Sequence, residues 1–394
     1  MRAHLERIFR AGVAACQPAS VLPPHLSGLE AERILVLAVG KAAAGMAAAA
    51  EAGLHGRIRG IAVVPHGVEA TLGQLDLVHA GHPLPDEDSV AAAKRLLALA
   101  AEAESGDLVL VLLSGGASAL ACLPGEGLTL EEKREISSTL LRSGAPIGEI
   151  NKVRRHLSRF KGGRLALAAA PARLLTLAIS DVVGDRPEDI GSGPTVADPS
   201  QVAEAKAILA EYGIAGPAEG WSETAKKVSG EYRIVARNAD ALVAAAAEAR
   251  QLGYEPRLIE DCTGEARVIG RAHAELALAS PPGTALISGG ELTVTANVAD
   301  RGGPNQEYAM AAALRLAGRR GICGLAADTD GIDGSSDAAG ALFDGDTPTR
   351  SGRRTRALLD AHDSHAFFRS LDDHLLTGPT GTNVNDLRII LTAP

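Results

Sequence analysis

The segment LLTLAISDVVGDRPEDIGSGPTVADP, from Leu174 to Pro199, decides how the fold is interpreted. Its apolar run Leu174–Ile179 has the length of a buried strand in a parallel sheet and stops abruptly at Ser180 and Asp181. Ligands of open α/β sheets bind where such strands end. The segment therefore predicts an α/β fold with a binding loop directly after this strand.

The loop itself is acidic and rich in glycine. Carboxylates such as Asp181 and Asp185 can hold a hydrated Mg²⁺, and the backbone N–H groups of Gly191, Ser192 and Gly193 can bind an anion. A metal beside an anion indicates a phosphorylated ligand. An acidic surface loop that only keeps the protein soluble is the alternative interpretation.

Short apolar runs alternate with Ala- and Leu-rich stretches along the whole chain, which is the pattern of βαβ units. In the first half the predicted strands and helices are Ile34–Val39, Lys41–Leu54, Ile61–Val64, Glu87–Ala103, Leu108–Leu113, Thr129–Arg142 and Leu174–Ile179. In the second half they are Tyr232–Val235, Ala239–Leu252, Ala285–Ser288, Glu291–Val298, Asn305–Leu316, Ile322–Ala327 and Leu387–Leu391. We therefore expect helices packed on parallel strands.

Length and composition narrow the class of protein further. The chain has 394 residues, more than one hydrophobic core usually holds, and the aperiodic segment Tyr212–Gly230 predicts domains of residues 1–228 and 229–394. A net charge of −9 argues against nucleic acid or a membrane surface as partner. The four cysteines lack zinc-site spacing, and no apolar run reaches membrane-spanning length. We expect a cytoplasmic protein.

Two glycine turns follow predicted strands in the first half. Gly40 and Lys41 lie where a strand passes into a helix, so backbone N–H groups and a mobile ammonium can meet a phosphoryl group there. The turn Ser114, Gly115 and Gly116 lets the backbone approach a carboxylate or phosphate. Neither turn has the P-loop or the GxGxxG spacing. A solvent-exposed lysine and an ordinary tight turn are the alternatives.

A basic stretch, Asn151–Arg164, directly precedes the acidic loop. The chain has only 8 lysines against 31 arginines, and this stretch holds Lys152 and Lys161 together with Arg154. Such a cluster in an acidic protein indicates a clamp for phosphates. A solvated helix face would show the same run of charge.

The second half of the chain also has polar loops at predicted strand ends and helix starts. Its candidate ligand contacts are Gly289, Glu291, Asn305, Glu307, Asp328 and Asp330. The loop after Ala327 lacks the terminal Glu of a calcium-binding EF-hand, so we interpret it as a polar site loop. The last such loop, residues 378–386, suits a sugar, nucleotide or hydroxy acid, or is a plain turn cluster.

Several motifs recur in a fixed order from Gly40 to Asp386. They are VGKAAAGMA, GHPLPDEDS, LLSGGASAL, NKVRRHLSRFKGGRLA, AISDVVGDRPEDIGSGPTVADP, SGGE, GGPNQE, DTDGIDGSSDAAGA and GPTGTNVNDL. Together they resemble the class II glycerate 2-kinase family, whose C-terminal half is the MOFRL domain. The resemblance covers nearly the whole chain.

The resemblance implies two α/β domains, an N-terminal Rossmann-like three-layer parallel sheet and a C-terminal MOFRL-type domain, with the active site in the cleft. It implies transfer of the ATP γ-phosphoryl group to the 2-hydroxyl of D-glycerate with Mg²⁺, giving 2-phosphoglycerate. The catalytic residues expected are Lys41, Asp181 and Arg154, with Asp181 and Asp185 as metal ligands. The residues expected to bind the cofactor are Ser114, Gly115, Gly116, Lys152, Lys161, Asp185, Gly191, Ser192, Gly193, Gly289, Glu291, Asn305, Glu307, Asp328 and Asp330.

The chain departs from the family pattern at one motif. Many members have arginine within GGRNQE where this chain has Pro304, and Arg301 lies three residues earlier. Two other functions stay open: an NAD(P)H-dependent reductase of hydroxypyruvate or tartrate, and a sensor of nucleotides or metabolites. The absence of GxGxxG counts against the reductase. A homodimer is a further possibility.

Overall fold

The computed structural model describes residues 1–295, 302–352 and 355–394. It divides into two compact units. The N-terminal unit is Pro18–Val235, and the C-terminal unit combines Met1–Gln17 with Ala236–Pro394. The predicted domain division between residues 228 and 229 stays a prediction.

The first half of the chain contains the elements α1 (Arg2–Ala15), α2 (Pro18–Val21), α3 (Pro23–Leu26), β1 (Ile34–Val39), α4 (Ala43–Gly53), β2 (Ile58–Pro65), β3 (Asp76–Ala80), α5 (Glu87–Ala101), β4 (Leu108–Leu113), α6 (Ala117–Leu120), α7 (Leu130–Arg142), α8 (Ile147–His156), α9 (Arg164–Ala168) and β5 (Arg173–Ile179). A short 3-10 helix, Ile190–Ser192, comes next, followed by α10 (Val202–Glu211) and β6 (Glu231–Ala236).

The second half contains α11 (Asn238–Gln251), β7 (Glu255–Ile259), β8 (Gly264–Glu265), α12 (Ala266–Leu278), β9 (Thr284–Ser288), β10 (Leu292–Thr293), α13 (Pro304–Leu316), β11 (Ile322–Asp328), β12 (Gly340–Asp344), α14 (Thr347–Ser351), α15 (Thr355–Asp360), α16 (Ser364–Arg369), β13 (His374–Leu375) and β14 (Asp386–Thr392).

The sheet of the N-terminal unit has the order β3-β2-β1-β4-β5-β6. Strands β1 and β4 are buried along their whole length, as expected for apolar strands covered on both faces. They pair in parallel with Val39 opposite Leu113, and β4 pairs in parallel with β5 so that Leu113 lies opposite Ala178. This register places the carboxyl ends of β1, β4 and β5 side by side, and the predicted site loops follow those ends.

The C-terminal unit contains a mixed sheet with the order β13-β12-β11-β14-β9-β7. The pairs of β11 with β12 and β14 are antiparallel, while β7 and β9 are parallel. Helix α1 packs on this sheet through Leu5, Ile8 and Phe9. The two-domain α/β fold is thus confirmed, but the antiparallel pairing of the second sheet differs from the parallel strands that alternation with helices suggested.

Most predicted elements occur at or near their predicted positions. Strands β1 and β4 begin and end at the predicted residues. The predicted strand Glu291–Val298 is wrong in extent, because β10 covers only Leu292–Thr293; residues 296–298 lie outside the described ones. No helix in the described part of the chain combines the length and the hydropathy that a membrane span needs.

Helices α12 and α13 approach closely at Gly270. A Cβ atom at this position would lie 2.4 Å from the carbonyl oxygen of Tyr308 on α13. We expect Gly270→Ala to lower the free energy of unfolding by roughly 1–3 kcal/mol, because the helices must separate. The measurement is denaturant unfolding followed by circular dichroism.

A matched control is Gly148→Ala in α8, where a new Cβ would meet nothing within 4 Å. Alanine has the higher helix propensity, so this change should raise the unfolding free energy by up to about 1 kcal/mol. Equal effects of the two substitutions would contradict the close approach of α12 and α13.

Candidate functional site

The turns after β1 and β4 are joined by hydrogen bonds. The backbone N–H of Lys41 donates to the carbonyl of Gly115 at 2.8 Å, and that of Ala42 donates to Ser114 Oγ at 3.0 Å. Gly40 has a φ of 136°, and a Cβ there would lie 2.1 Å from Ser114 Oγ. Only glycine permits this approach. The structure thus brings the two predicted glycine turns together.

Gly116 places two side chains next to each other. It has a φ of 81°, and a Cβ there would lie 2.8 Å from Cδ2 of His82 and 3.4 Å from Cγ of Lys41. The sequence analysis quoted the motif that contains His82 but gave this residue no role. The strand before it, β3 at the sheet edge, was not among the predicted strands, so no predicted strand end pointed to His82.

A cavity of about 440 Å³ opens beside Gly116 and His82. Its floor contains Lys133, Arg154 and Lys161, and none of the described residues that line it is Asp or Glu. The sequence analysis selected Arg154 and Lys161. It missed Lys133, because a lysine in the polar helix segment LEEKRE looks like a solvated side chain.

The two lysines of the cavity bind carbonyl oxygens at helix ends. Lys161 Nζ donates to Ser118 O at 2.7 Å and to Ala121 O at 3.1 Å, at the end of α6. Lys133 Nζ donates to Leu157 O at 2.5 Å and to Arg154 O at 3.4 Å, at the end of α8. Helix C-termini carry partial negative charge, so they stabilise these ammonium groups and fix their positions.

These cations lack an acidic partner. Burial lowers the pKa of Lys161 to about 7 and that of Lys133 to about 8, and it also lowers the pKa of Arg154. Among the described residues, no carboxylate accepts a hydrogen bond from any of the three. Buried charge without a counter-ion is unfavourable, and a bound anion would relieve it. The cavity is therefore a candidate anion site.

The remaining residues of the basic stretch serve other purposes. Lys152 forms a surface ion pair with Glu204 at 2.8 Å and does not line the cavity. Arg155 is buried against Asp198 at 3.0 Å and Asp189 at 3.5 Å. The stretch is thus partly a solvated helix face, partly a structural anchor and partly a cavity floor.

The predicted anion loop lies against the turn after β4. Ser192 Oγ is 3.0 Å from Ser118 Oγ and donates to Asn151 Oδ1 at 3.2 Å. Gly191, Ser192 and Gly193 all have positive φ values close to 60°. Their backbone therefore turns sharply beside the predicted phosphate-binding residues.

Asp181 and Asp185 are half-buried in the loop after β5, and both make further interactions within the protein. Asp185 has a φ of 52°, an unusual value for a residue other than glycine. In residues 1–295, 302–352 and 355–394, the group of three close metal-ligand side chains is instead His66, Asp86 and Asp88. Mg²⁺ held by one or two protein carboxylates usually completes its coordination shell with water and phosphate oxygens.

In the C-terminal unit, two of the predicted polar loops join at Asp333. Its Oδ1 accepts from the backbone N–H of Asn305 at 3.0 Å, and its Oδ2 accepts from that of Gln306 at 2.9 Å. It thereby caps the first turn of α13. Burial raises the pKa of Asp333 to about 7, although hydrogen bonds from those amides oppose this shift. The polar loop after β11 is thus tied to the start of α13.

Arg388 organises the glycine turn after β9. It is fully buried in β14, donates to Gly289 O at 3.0 Å and Gly290 O at 3.1 Å, and forms an ion pair with Asp386. Asn305 Nδ2 donates to the same carboxylate at 2.6 Å. The sequence analysis missed Arg388, although an arginine within the apolar run Leu387–Leu391 was a visible signal.

Other predicted residues of this unit have structural partners. Glu307 is buried between Arg267 at 2.7 Å and His362 at 2.8 Å. Asp328 accepts from the backbone N–H of Asp330 at 2.9 Å, and Asp330 accepts from that of Ile332 at 2.8 Å.

The residue that departs from the family pattern, Pro304, lies at a helix start that tolerates proline. Pro304 occupies the first turn of α13, where a missing N–H costs no helical hydrogen bond. Glu291, at the predicted turn after β9, is exposed. Arg301 lies outside the described residues.

Comparison with known proteins finds two family models along the chain. The domain of unknown function DUF4147 matches residues 4–222, and the MOFRL family matches residues 284–386. A D-glycerate 2-kinase from Thermotoga maritima is 39% identical over 97% of this chain and 96% of its own. A putative hydroxypyruvate reductase from Agrobacterium vitis is 45% identical over 98% of this chain and 93% of its own.

A solved structure shows the same fold. The crystal structure of a glycerate kinase from Thermotoga maritima superimposes with a TM-score of 0.88 and 38% sequence identity, covering 98% of each chain.

Anion binding in the cavity should depend on pH. Lys161, with a pKa of about 7, is charged at about pH 6 and largely neutral at about pH 8.5. A fixed low concentration of sulfate should therefore raise the melting temperature more at the lower pH. Ionic strength is matched with sodium chloride.

The control is Lys161→Met, which should lose most of the pH dependence of the sulfate effect. Without an anion, the lowered pKa of Lys161 favours the folded state increasingly as pH rises above about 7, because the unfolded lysine binds the proton more tightly. An equal sulfate effect at both pH values would count against an anion site on this lysine.

Proposed function

Because this chain belongs to the class II glycerate 2-kinase family, we propose that it transfers the γ-phosphoryl group of ATP to the 2-hydroxyl of D-glycerate, giving 2-phosphoglycerate. The chain is a kinase enzyme whose likeness to glycerate kinases extends over its full length. The observation that carries the proposal is the junction of Lys41, Gly116 and His82 beside an anion cavity at the carboxyl edge of the sheet.

Phosphoryl transfer depends mainly on alignment and on neutralising charge. The backbone N–H of Lys41 donates to Gly115 O, so the side chain that carries its ammonium starts from a defined position. In our proposal this ammonium stabilises the transferring phosphoryl group. The backbone N–H groups of Gly115, Gly116 and Gly191 hold the phosphates in place. Those of Ser114, Ser192 and Gly193 already donate to carbonyl oxygens of the protein.

The basic residues hold the anionic ends of the substrates. Arg154 and Lys161 contact phosphates or the glycerate carboxylate from the cavity floor. Lys152 would first have to exchange its partner Glu204 for a ligand.

The carboxylates after β5 suit a magnesium ion. Asp181 and Asp185 offer oxygen ligands in a loop, and Mg²⁺ typically takes one or two protein carboxylates and completes its shell with water and phosphate. When bound, the ion neutralises charge on the phosphates. Either aspartate can instead orient the C2 hydroxyl as a base.

The C-terminal unit contributes further predicted nucleotide contacts. Gly289, Glu291, Asn305, Glu307, Asp328 and Asp330 stay predictions in this role. Glu307 is the weakest of them, because Arg267 and His362 already satisfy its buried carboxylate. A cytoplasmic location and a homodimer also stay predictions.

Reduction of hydroxypyruvate is the second candidate function, because two Agrobacterium vitis relatives carry that name with 45% and 42% identity. A nicotinamide enzyme of this fold would be expected to have a GxGxxG turn after its first strand, whereas β1 is followed by Gly40-Lys41-Ala42. One pair of assays separates the two: ADP and phosphoglycerate formation from ATP, Mg²⁺ and D-glycerate, and NADH oxidation with hydroxypyruvate. NADH oxidation without ADP formation would reverse our ranking.

Lys41→Ala should lower turnover by orders of magnitude, because it removes the ammonium proposed to stabilise the transferring phosphoryl group. ADP release is measured with saturating ATP and D-glycerate, and circular dichroism and the melting temperature check that the fold is intact. Lys94→Ala, an exposed lysine on α5, is the matched control and should keep normal turnover. Near-normal activity of the Lys41 variant would refute its catalytic role.

A further inference from the structure

The cavity beside Gly116 has two chemically different parts. Its floor carries the cations Lys133, Arg154 and Lys161. Its rim, which we define as Pro83, Leu84, Pro85 and Leu141, is apolar. Leu84 is 59% exposed and Leu141 is 64% exposed, so this rim presents large aliphatic side chains to whatever enters.

The floor is built to hold a small anion in a fixed place. Each ammonium uses two N–H groups on helix-end carbonyls, and an ammonium has three. Lys133 also binds the carbonyl of Arg154 itself, which fixes the backbone that carries the guanidinium. We assign anion contact to Lys161 and Arg154, and a positioning role to Lys133 because it holds the backbone of Arg154.

A carboxylate fits this floor better than the metal-bound phosphate chain of ATP does. None of the described residues that line the cavity is Asp or Glu, so the cavity has no carboxylate ligand for the cation that accompanies ATP. A carboxylate needs no metal and is satisfied by an ammonium and a guanidinium. This favours the carboxylate of the phosphoryl acceptor.

The size of the cavity exceeds what a three-carbon acid requires. Its volume of about 440 Å³ lies in the range that holds drug-sized ligands, roughly 300–1,000 Å³. The apolar rim shares the lining of this space with the polar side chains of Arg134, Ser137 and Ser138. An apolar substituent on the acid would bury itself against Leu84 and Leu141.

We propose that this cavity binds 2-hydroxy acids larger than glycerate, with the carboxylate on Lys161 and Arg154 and an apolar C3 substituent against the rim. The proposal rests on the proposed function, because it places the acceptor of the kinase reaction in this cavity. It extends the acceptor class from glycerate to 2-hydroxy acids with aliphatic or aromatic side chains.

The test uses D-lactate, D-2-hydroxybutyrate and D-3-phenyllactate with the full-length protein. Formation of phosphoglycerate from D-glycerate is followed, and each acid should compete with D-glycerate but not with ATP. The inhibition constant should fall at least several-fold from lactate to phenyllactate as more apolar surface is buried. Competition with ATP, affinity that decreases with size, or no inhibition by phenyllactate at subsaturating D-glycerate would each overturn the proposal.

Substitutions test the apolar rim and the cationic floor separately. Leu141→Ser should reduce the preference for phenyllactate over lactate several-fold. Leu167→Ser, on α9 and 54% exposed, should leave that preference unchanged because it does not line the cavity. Lys161→Met should weaken all the acids tenfold or more while keeping their order. An unchanged preference in the Leu141 variant would contradict the apolar rim.

A binding measurement keeps this proposal separate from the kinase function. The acid-induced rise in melting temperature is recorded without ATP for the same three acids. If D-glycerate yields no ADP but phenyllactate still stabilises the protein more than lactate does, the proposed function fails and the site stands. If ADP forms and the three acids stabilise equally or not at all, the function stands and the site fails.

Discussion

The hydrogen bonds between the turns after β1 and β4 are the contacts on which the site depends. Lys41 N–H to Gly115 O and Ala42 N–H to Ser114 Oγ can form only because the two strands are parallel and in register. A register shift by one residue would move one turn along the strand direction by about 3.3 Å relative to the other and break both hydrogen bonds. The parallel register of β1 and β4 therefore determines where the lysine and the glycine turns meet.

The cavity floor shows how the protein keeps positive charge in a buried place. Lysine ammoniums are costly to bury, and carboxylate partners would neutralise them but would also occupy the site. Carbonyl oxygens at the ends of α6 and α8 provide a weaker compensation. This compensation is incomplete, which agrees with the lowered pKa values of Lys161 and Lys133, and a bound anion would favour their charged forms.

The sequence predicted the strands best where both faces are buried. The runs ILVLAV and LVLVLL are continuous, so β1 and β4 were found at their true ends. Strand β7, EPRLI, was missed because it lies at a sheet edge and includes a proline and charged residues. The antiparallel pairing around β14 was beyond prediction, since apolar runs of this length do not reveal strand direction.

Candidate site residues were harder to rank, because the residues of a sequence motif can serve the local backbone structure as well as ligand binding. Lys152 and Arg154 are two positions apart on α8, which places them on different faces, and only Arg154 reaches the cavity. Choosing between Lys152 and Arg154 requires knowing how α8 packs in the fold.

The same distinction applies in the C-terminal unit. Asn305 looked like a ligand contact in sequence, yet its backbone amide and that of Gln306 donate to Asp333, which caps α13. A carboxylate that accepts hydrogen bonds from such backbone amides has a structural role. Among the described residues, the buried ammonium of Lys161 has carbonyl partners but no acidic partner. This uncompensated charge distinguishes a group that can bind a ligand from a group with a structural role.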